Sequence, residues 1–351
     1  MARFRILIRA FAATAACAML LASAVAVVAD TDSDGDGVPD LIEQATQRND
    51  SVTVAGDEFN ISSQLVNAPF QDRFELSYQS GKFRLYYERP GSSSYYELEL
   101  QNLVEWRDLN GNDRIDPGDP SEVVVTTALG DVAFRGALVN RSRTDSSDGG
   151  VVNTLRIESR TGELVLTLTK AERFMRVGNR VLTPMEVKLD ISVNSQPATA
   201  GDSLGLEWLL DTDQGVEWAQ RSWDDEHGFA DDEAAVNVTG GNPGRPASVF
   251  FAWSKTALAG SLPIPVGVTN ITTEPTYEIY MAYSLRGAIL PGPIVHDPVL
   301  GVHSVAYDGI VARSPELQGD VALYIGTLAA VAALVALTIV FAKRRRKKRE
   351  D

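Results

Sequence analysis

Between Arg73 and Tyr87 apolar side chains recur at every second residue, and no other feature restricts the fold so tightly. Phe74, Leu76 and Tyr78 alternate with polar residues, Gln79-Ser80-Gly81 breaks the run, and Phe83, Leu85 and Tyr87 resume it. A period of two places one side-chain set on each face of an extended strand, so the segment predicts a β-hairpin. Strands are also predicted at Tyr95–Trp106, Glu122–Thr127, Val132–Leu138, Val151–Glu158, Glu163–Thr169 and Glu186–Val193, the last with Val187, Leu189, Ile191 and Val193 on one face. These strands and their polar turns predict a mainly β chain, an antiparallel β-sandwich over 51–195. Asn194–Asp202 reads as a junction into a second β-rich unit, 196–315, with strands at Leu204–Asp211, Ala247–Trp253 and Tyr277–Leu285. Residues 212–245 and 286–303 read as Gly-, Pro- and Asp-rich connections. The later unit is either a second domain or an elaboration of the first sheet pair.

Two apolar runs bracket this region. Arg3, Arg5 and Arg9 precede the run Phe11–Val28, which ends in small residues, and this predicts a signal peptide at 1–29. Val321–Ala342 is 22 residues without a charge, followed by seven consecutive cations from Lys343 to Arg349. About 20 apolar residues span a bilayer core as a helix, and flanking cations stay on the cytoplasmic side. The expectation is a transmembrane helix at 321–342 behind a short stalk at 316–320, with a basic cytoplasmic tail at 343–351. The protein would then sit in the plasma membrane as a single-pass chain, N-terminus extracellular and C-terminus cytoplasmic. Gly326, Ala329, Ala330 and Ala333 would permit close helix pairing and hence self-association.

Charge narrows the partners. Three Arg lie before residue 30 and seven basic residues after 342, so the stretch between carries 22 basic against 45 acidic groups. So anionic a surface argues against a nucleic-acid partner and suits a solvated face with divalent cations or a salty environment. The single cysteine, Cys17, falls in the signal segment, so the mature chain has no disulfide. Sequons at Asn49, Asn60, Asn140, Asn237 and Asn270 suit a surface glycoprotein.

Two acidic loops carry the chemistry. Asp32, Asp34, Asp36, Asp40 and Glu43 occupy positions 1, 3, 5, 9 and 12 of a twelve-residue loop, with Gly37 at position 6 and the Val38 carbonyl available at position 7. That spacing is the calcium loop of an EF-hand: a hard cation takes six to eight oxygens, so the chain wraps it and presents alternate side chains inward. Residues 30–50 are expected to hold this loop and a short exiting helix from Asp40 to about Arg48. The second loop, within the sandwich at 108–119, places Asp108, Asn110, Asn112, Asp116 and Asp119 at the same five positions, the Arg114 carbonyl at position 7 and Ile115 at the apolar position 8. Asp113 replaces the usual glycine, and Pro117 and Pro120 argue against an exiting helix. The competing reading of this segment is a plain Asn/Gly/Asp/Pro turn.

Both runs resemble the aspartate-rich repeats of thrombospondin type 3 and the loops of dockerins. The resemblance covers two stretches of twelve residues and implies Ca2+ as the cofactor. Dockerins pair their loops within one module; here the loops start 76 residues apart, at Asp32 and Asp108.

These readings predict a calcium-stabilised cell-surface structural, adhesion or recognition protein, non-enzymatic, with a surface protein or glycan as ligand. The alternative is a membrane-anchored carbohydrate-binding or polysaccharide-hydrolysing protein. It rests on Trp218, Trp223, Asp224, Asp225, Glu226, His227, Asp231, Asp232 and Glu233, where carboxylates adjoin aromatic platforms. An acidic solvated loop accounts for the same residues. A transition-metal site would require His227, His296 and His303 to converge near Asp297.

Overall fold

A computed structural model describes residues 48–65, 72–145, 150–177, 180–220, 233–241 and 247–303. The chain is mainly β, and every strand pairing among these residues is antiparallel. β1 (Arg48–Ala55), β2 (Glu58–Leu65), β3 (Arg73–Gln79), β4 (Lys82–Arg89) and β5 (Ser92–Trp106) form a meander in which each strand pairs with the next. After residues 107–122, β6 (Val123–Ala128) returns along the second half of β5, and one helical turn follows, α1 (Gly130–Phe134). β7 (Val139–Asp145), β8 (Val151–Glu158) and β9 (Leu164–Ala171) make a second meander. A small hairpin of β10 (Met175–Val177) and β11 (Arg180–Leu182) leads to β12 (Glu186–Val193), which pairs with β9. The remaining strands are β13 (Ser203–Asp211), β14 (Gly215–Gln220), β15 (Glu233–Gly240), β16 (Ala247–Ser254), β17 (Thr256–Ala259), β18 (Leu262–Thr273), β19 (Thr276–Tyr283), β20 (Ile294–His296) and β21 (Val299–His303).

Two sheets result. In one, β13 extends the first meander by pairing with β5, then β19 and β18 follow. In the other, β12 pairs with β20 and β21, and β21 leads through β16 and β15 to β14. β18 belongs to both: its start pairs with β17 and its remainder with β19. Strands on either side of the junction at 194–202 therefore pair with one another.

The alternation read from sequence is visible as burial. β3 and β4 turn Phe74, Leu76, Tyr78, Phe83, Leu85 and Tyr87 into the core and their polar neighbours outward. Phe83 of β4, Trp208 of β13 and Phe251 of β16 form a chain of tilted aromatic contacts, with ring centroids 6.4 and 5.6 Å apart, that joins the two sheets.

Several expectations are corrected. Val132–Leu138 is not a strand. Leu129, Ala133, Phe134 and Ala137 are buried, a helical spacing, while Val132 and Leu138 are 70% and 66% exposed. Residues 212–245 and 286–303 are not simple connections, since they carry the β14–β15 hairpin and strands β20 and β21. Arg48, expected at a helix end, opens β1. Its guanidinium is buried and donates to both oxygens of Asp72, at 2.9 Å each, so an inward charge occupies a position that alternation reserves for an apolar residue. The signal segment, the loop Asp32–Glu43 with the helix that follows it, the stalk, the anchor 321–342 and the basic tail lie outside the described residues. Among the described residues no helix is long and apolar enough to cross a membrane.

Candidate metal centre at residues 108–122

The loop leaves the sheet where β5 ends and returns where β6 begins. Trp106 pairs with Val123, and the Arg107 amide donates to the Glu122 carbonyl at 2.8 Å, so the ladder closes the loop at its neck. Its middle is folded back onto the outer face of the sheet by Ile115, which is fully buried among Val104, Trp106, Tyr280 and Ala282. This docking explains why Leu103–Trp106 are buried on both faces although the rest of β5 alternates. Two glycines make room. A β-carbon on Gly205 would meet Ile115 Cδ1 at 2.5 Å, and one on Gly267 would meet the Asp113 carbonyl oxygen at 1.8 Å.

Within the loop the side-chain oxygens turn inward. Asp108 Oδ1 accepts from the amides of Gly111 (2.7 Å) and Asn112 (3.2 Å), and Oδ2 from that of Asp113 (3.1 Å). Asn110 and Asn112 accept from the amides of Asn112 and Arg114 at 3.0 and 2.8 Å and donate to Asp116 Oδ2 at 2.7 and 3.2 Å. Asp113 sits at φ +58, in the left-handed region that the usual glycine would take, and Arg286 binds its carboxylate at 2.6 and 3.0 Å. That hydrogen bond holds the Asp113 carboxyl below the usual range.

Four of the expected side-chain ligands, Asp108, Asn110, Asn112 and Asp116, thus lie in one hydrogen-bonded cluster. Asp119 does not join them: its exposed carboxylate accepts from Ser121 N at 2.9 Å and Ser121 Oγ at 2.5 Å, which lowers its pKa. Among the described residues no three His, Cys, Asp or Glu side chains stand together as a metal site. The donor set fits calcium in kind, since every candidate is an oxygen and two amide groups need only turn to present theirs.

Glu122 was not among the expected ligands. It is 1% exposed, its Oε1 accepts from the Leu109 amide at 3.3 Å, and its Oε2 has no hydrogen-bond partner. Burial, followed by the charges of Asp116 and Asp108, raises its pKa. The one sequence signal available was an acidic residue directly before a strand.

Of the other candidates, His296, Asp297 and Trp218 have described side chains. His296 is buried, with Nε2 2.9 Å from the Ser254 carbonyl and Nδ1 3.2 Å from Tyr283 Oη. A carbonyl only accepts, so Nε2 carries the proton and the tyrosine donates to Nδ1, leaving no lone pair for a metal. Asp297 lies 3.8 Å from Lys188. His303 ends β21, and its side chain, like residues 221–232, lies outside the description. Trp218 of β14 packs edge-on against Trp253, centroids 6.4 Å apart, as a half-buried part of the core. Asn49, Asn60, Asn140 and Asn270 are exposed on strands, and Asn237 is half-buried.

No protein-family model matches the chain, and no curated protein matches its sequence. Two solved structures align over most of it. The Family GH92 inverting mannosidase from Bacteroides thetaiotaomicron shares 8% identity over 80% of this chain, at a TM-score of 0.31. An aldose 1-epimerase candidate from Klebsiella pneumoniae shares 9% identity over 78% of this chain and 96% of its own, at a TM-score of 0.27. The chain spans 33% of the mannosidase's length. At these scores neither likeness carries an argument about function.

Proposed function

We propose that this protein is a calcium-stabilised, non-enzymatic cell-surface protein of structural, adhesive or recognition type. Its antiparallel sheets would form a β-sandwich ectodomain, delivered by the signal segment at 1–29 and anchored by the helix at 321–342, with the basic tail inside. The observation that carries the reading is the docking of the loop at 108–119: Ile115 fixes it to the sheet while Asp108, Asn110, Asn112 and Asp116 fold into one hydrogen-bonded cluster. Metal that binds only the folded state adds stability by mass action, about 2.7 kcal/mol at a hundredfold excess over Kd. Exposed sequons support display outside the cell, where the ligand would be another surface protein, a glycan or a second copy of the chain.

The test is a calorimetric calcium titration of the full chain in detergent after metal removal, with both end states melted. Two sites per chain and a rise in melting temperature support loops at Asp32–Glu43 and in the 108–122 segment. No binding at millimolar calcium overturns the reading.

A further inference from the structure

We infer that Glu122, three residues beyond the expected closing position, is the carboxylate that completes the second calcium site in place of Asp119. The inference rests on the proposal that this loop binds calcium. Asp119 N donates to the Asp116 carbonyl at 2.9 Å and the Asp119 carbonyl accepts from Glu122 N at 3.1 Å, so the chain turns back after Asp116. That turn points the Asp119 side chain at Ser121 and solvent, and delivers Glu122 to the neck opposite Arg107. There Glu122 Oε1 accepts from the amide of Leu109, the second loop residue. A carboxylate 1% exposed, with one oxygen unpartnered, is costly unless something positive joins it. In the same loop Asp108 and Asp116 carry carboxylate oxygens, and Asn110 and Asn112, whose amide nitrogens now donate to Asp116, can turn to offer theirs. A divalent cation with oxygen preference fits that set, and Glu122 is long enough to reach it with both oxygens, as the glutamate at loop position 12 does in an EF-hand.

A purely structural Glu122, pinning the Leu109 amide, makes a different prediction. Glu122→Gln keeps the accepting oxygen and removes only the charge. The experiment uses the full chain in detergent with Asp34 and Asp36 changed to Ala, so that only the second loop titrates, and measures calcium affinity and the metal-free melting temperature. The expected result is that Glu122→Gln weakens calcium on the order of tenfold or more, while its metal-free form melts at or above the parent. Asp119→Asn should leave affinity nearly unchanged. Unchanged affinity in Glu122→Gln, with loss in Asp119→Asn, overturns the inference and leaves the loop a calcium site closed by Asp119. A parent that binds no calcium removes the site itself, and with it the inference. A fall in the metal-free melting temperature with no change in affinity assigns Glu122 to structure alone.

Discussion

Gly205 lies directly beneath Ile115: a β-carbon on the glycine would stand 2.5 Å from Ile115 Cδ1 and 2.8 Å from the Met281 carbonyl. The sheet therefore yields a side chain so that the loop can seat one. Gly205→Ala should destabilise the protein by about 1–3 kcal/mol, the usual cost of overpacking, and should weaken calcium binding by lifting the loop. Ile115→Ala should cost about 2–5 kcal/mol, because it empties a fully buried site. Residues in contact do not act independently, so the double variant should cost less than the sum of the two. Denaturant unfolding of the three variants measures this, and strict additivity would refute the docking.

Asp113 supplies a second test of the loop. At φ +58 a glycine is free of strain, whereas the carboxylate gains Arg286, an ion pair on the surface. Exposed pairs contribute about 0–1 kcal/mol, comparable to the cost of a single non-glycine residue in this region. Asp113→Gly should therefore change stability by less than about 1 kcal/mol. Asp113→Val, which loses the pair and adds a branched β-carbon, should lose about 1–3 kcal/mol. Thermal melts of both variants decide it, and a large loss in the glycine variant would place the contribution in the ion pair.

Legibility followed the inward positions. β3, β4, β8, β9 and β12 were readable because apolar residues hold most of their buried positions, Asn153, Thr169, Lys170 and Glu186 being the polar exceptions. β1 was not, because its inward positions include Arg48 and Asp50, whose charges are matched only in three dimensions by Asp72 and Lys170. α1 was misread because Val132, Phe134 and Leu138 mimic alternation while only Phe134 is buried. The gathering of Asp108, Asn110, Asn112 and Asp116 in one hydrogen-bonded cluster follows their spacing. Glu122 was not legible, since its place at the neck depends on the pairing of β5 with β6, which no local pattern records.

The Asp50–Lys170 pair is a strong constraint on β1. Both side chains are almost wholly buried, and Lys170 Nζ lies 2.5 Å from Asp50 Oδ2 and 2.5 Å from the Ala171 carbonyl. Asp50→Ala strands a buried ammonium and should cost about 3–5 kcal/mol. Replacing both partners with apolar residues, Asp50→Leu with Lys170→Met, should recover most of that loss, because neither charge then has to leave water. Equilibrium unfolding distinguishes the cases. A double variant as unstable as Asp50→Ala would mean that the geometry of the pair, rather than its charge, fixes β1.

Glu172, just past the end of β9, gives the pH dependence. Burial first, and then the charge of Asp50, raises its carboxyl above the ordinary 4.5. The folded protein thus holds this proton more tightly than the unfolded chain does. The ionised group costs stability at neutral pH, and the cost is relieved as pH falls through the folded pKa and disappears below about 4.5. Glu172→Gln, which cannot ionise, should melt above the parent at pH 7, with a gap that narrows on acidification and closes near pH 4.5. Melting curves of both proteins from neutral to acid pH measure that gap. A gap independent of pH would show that hydrogen bonding or packing, and not the buried charge, separates the two proteins.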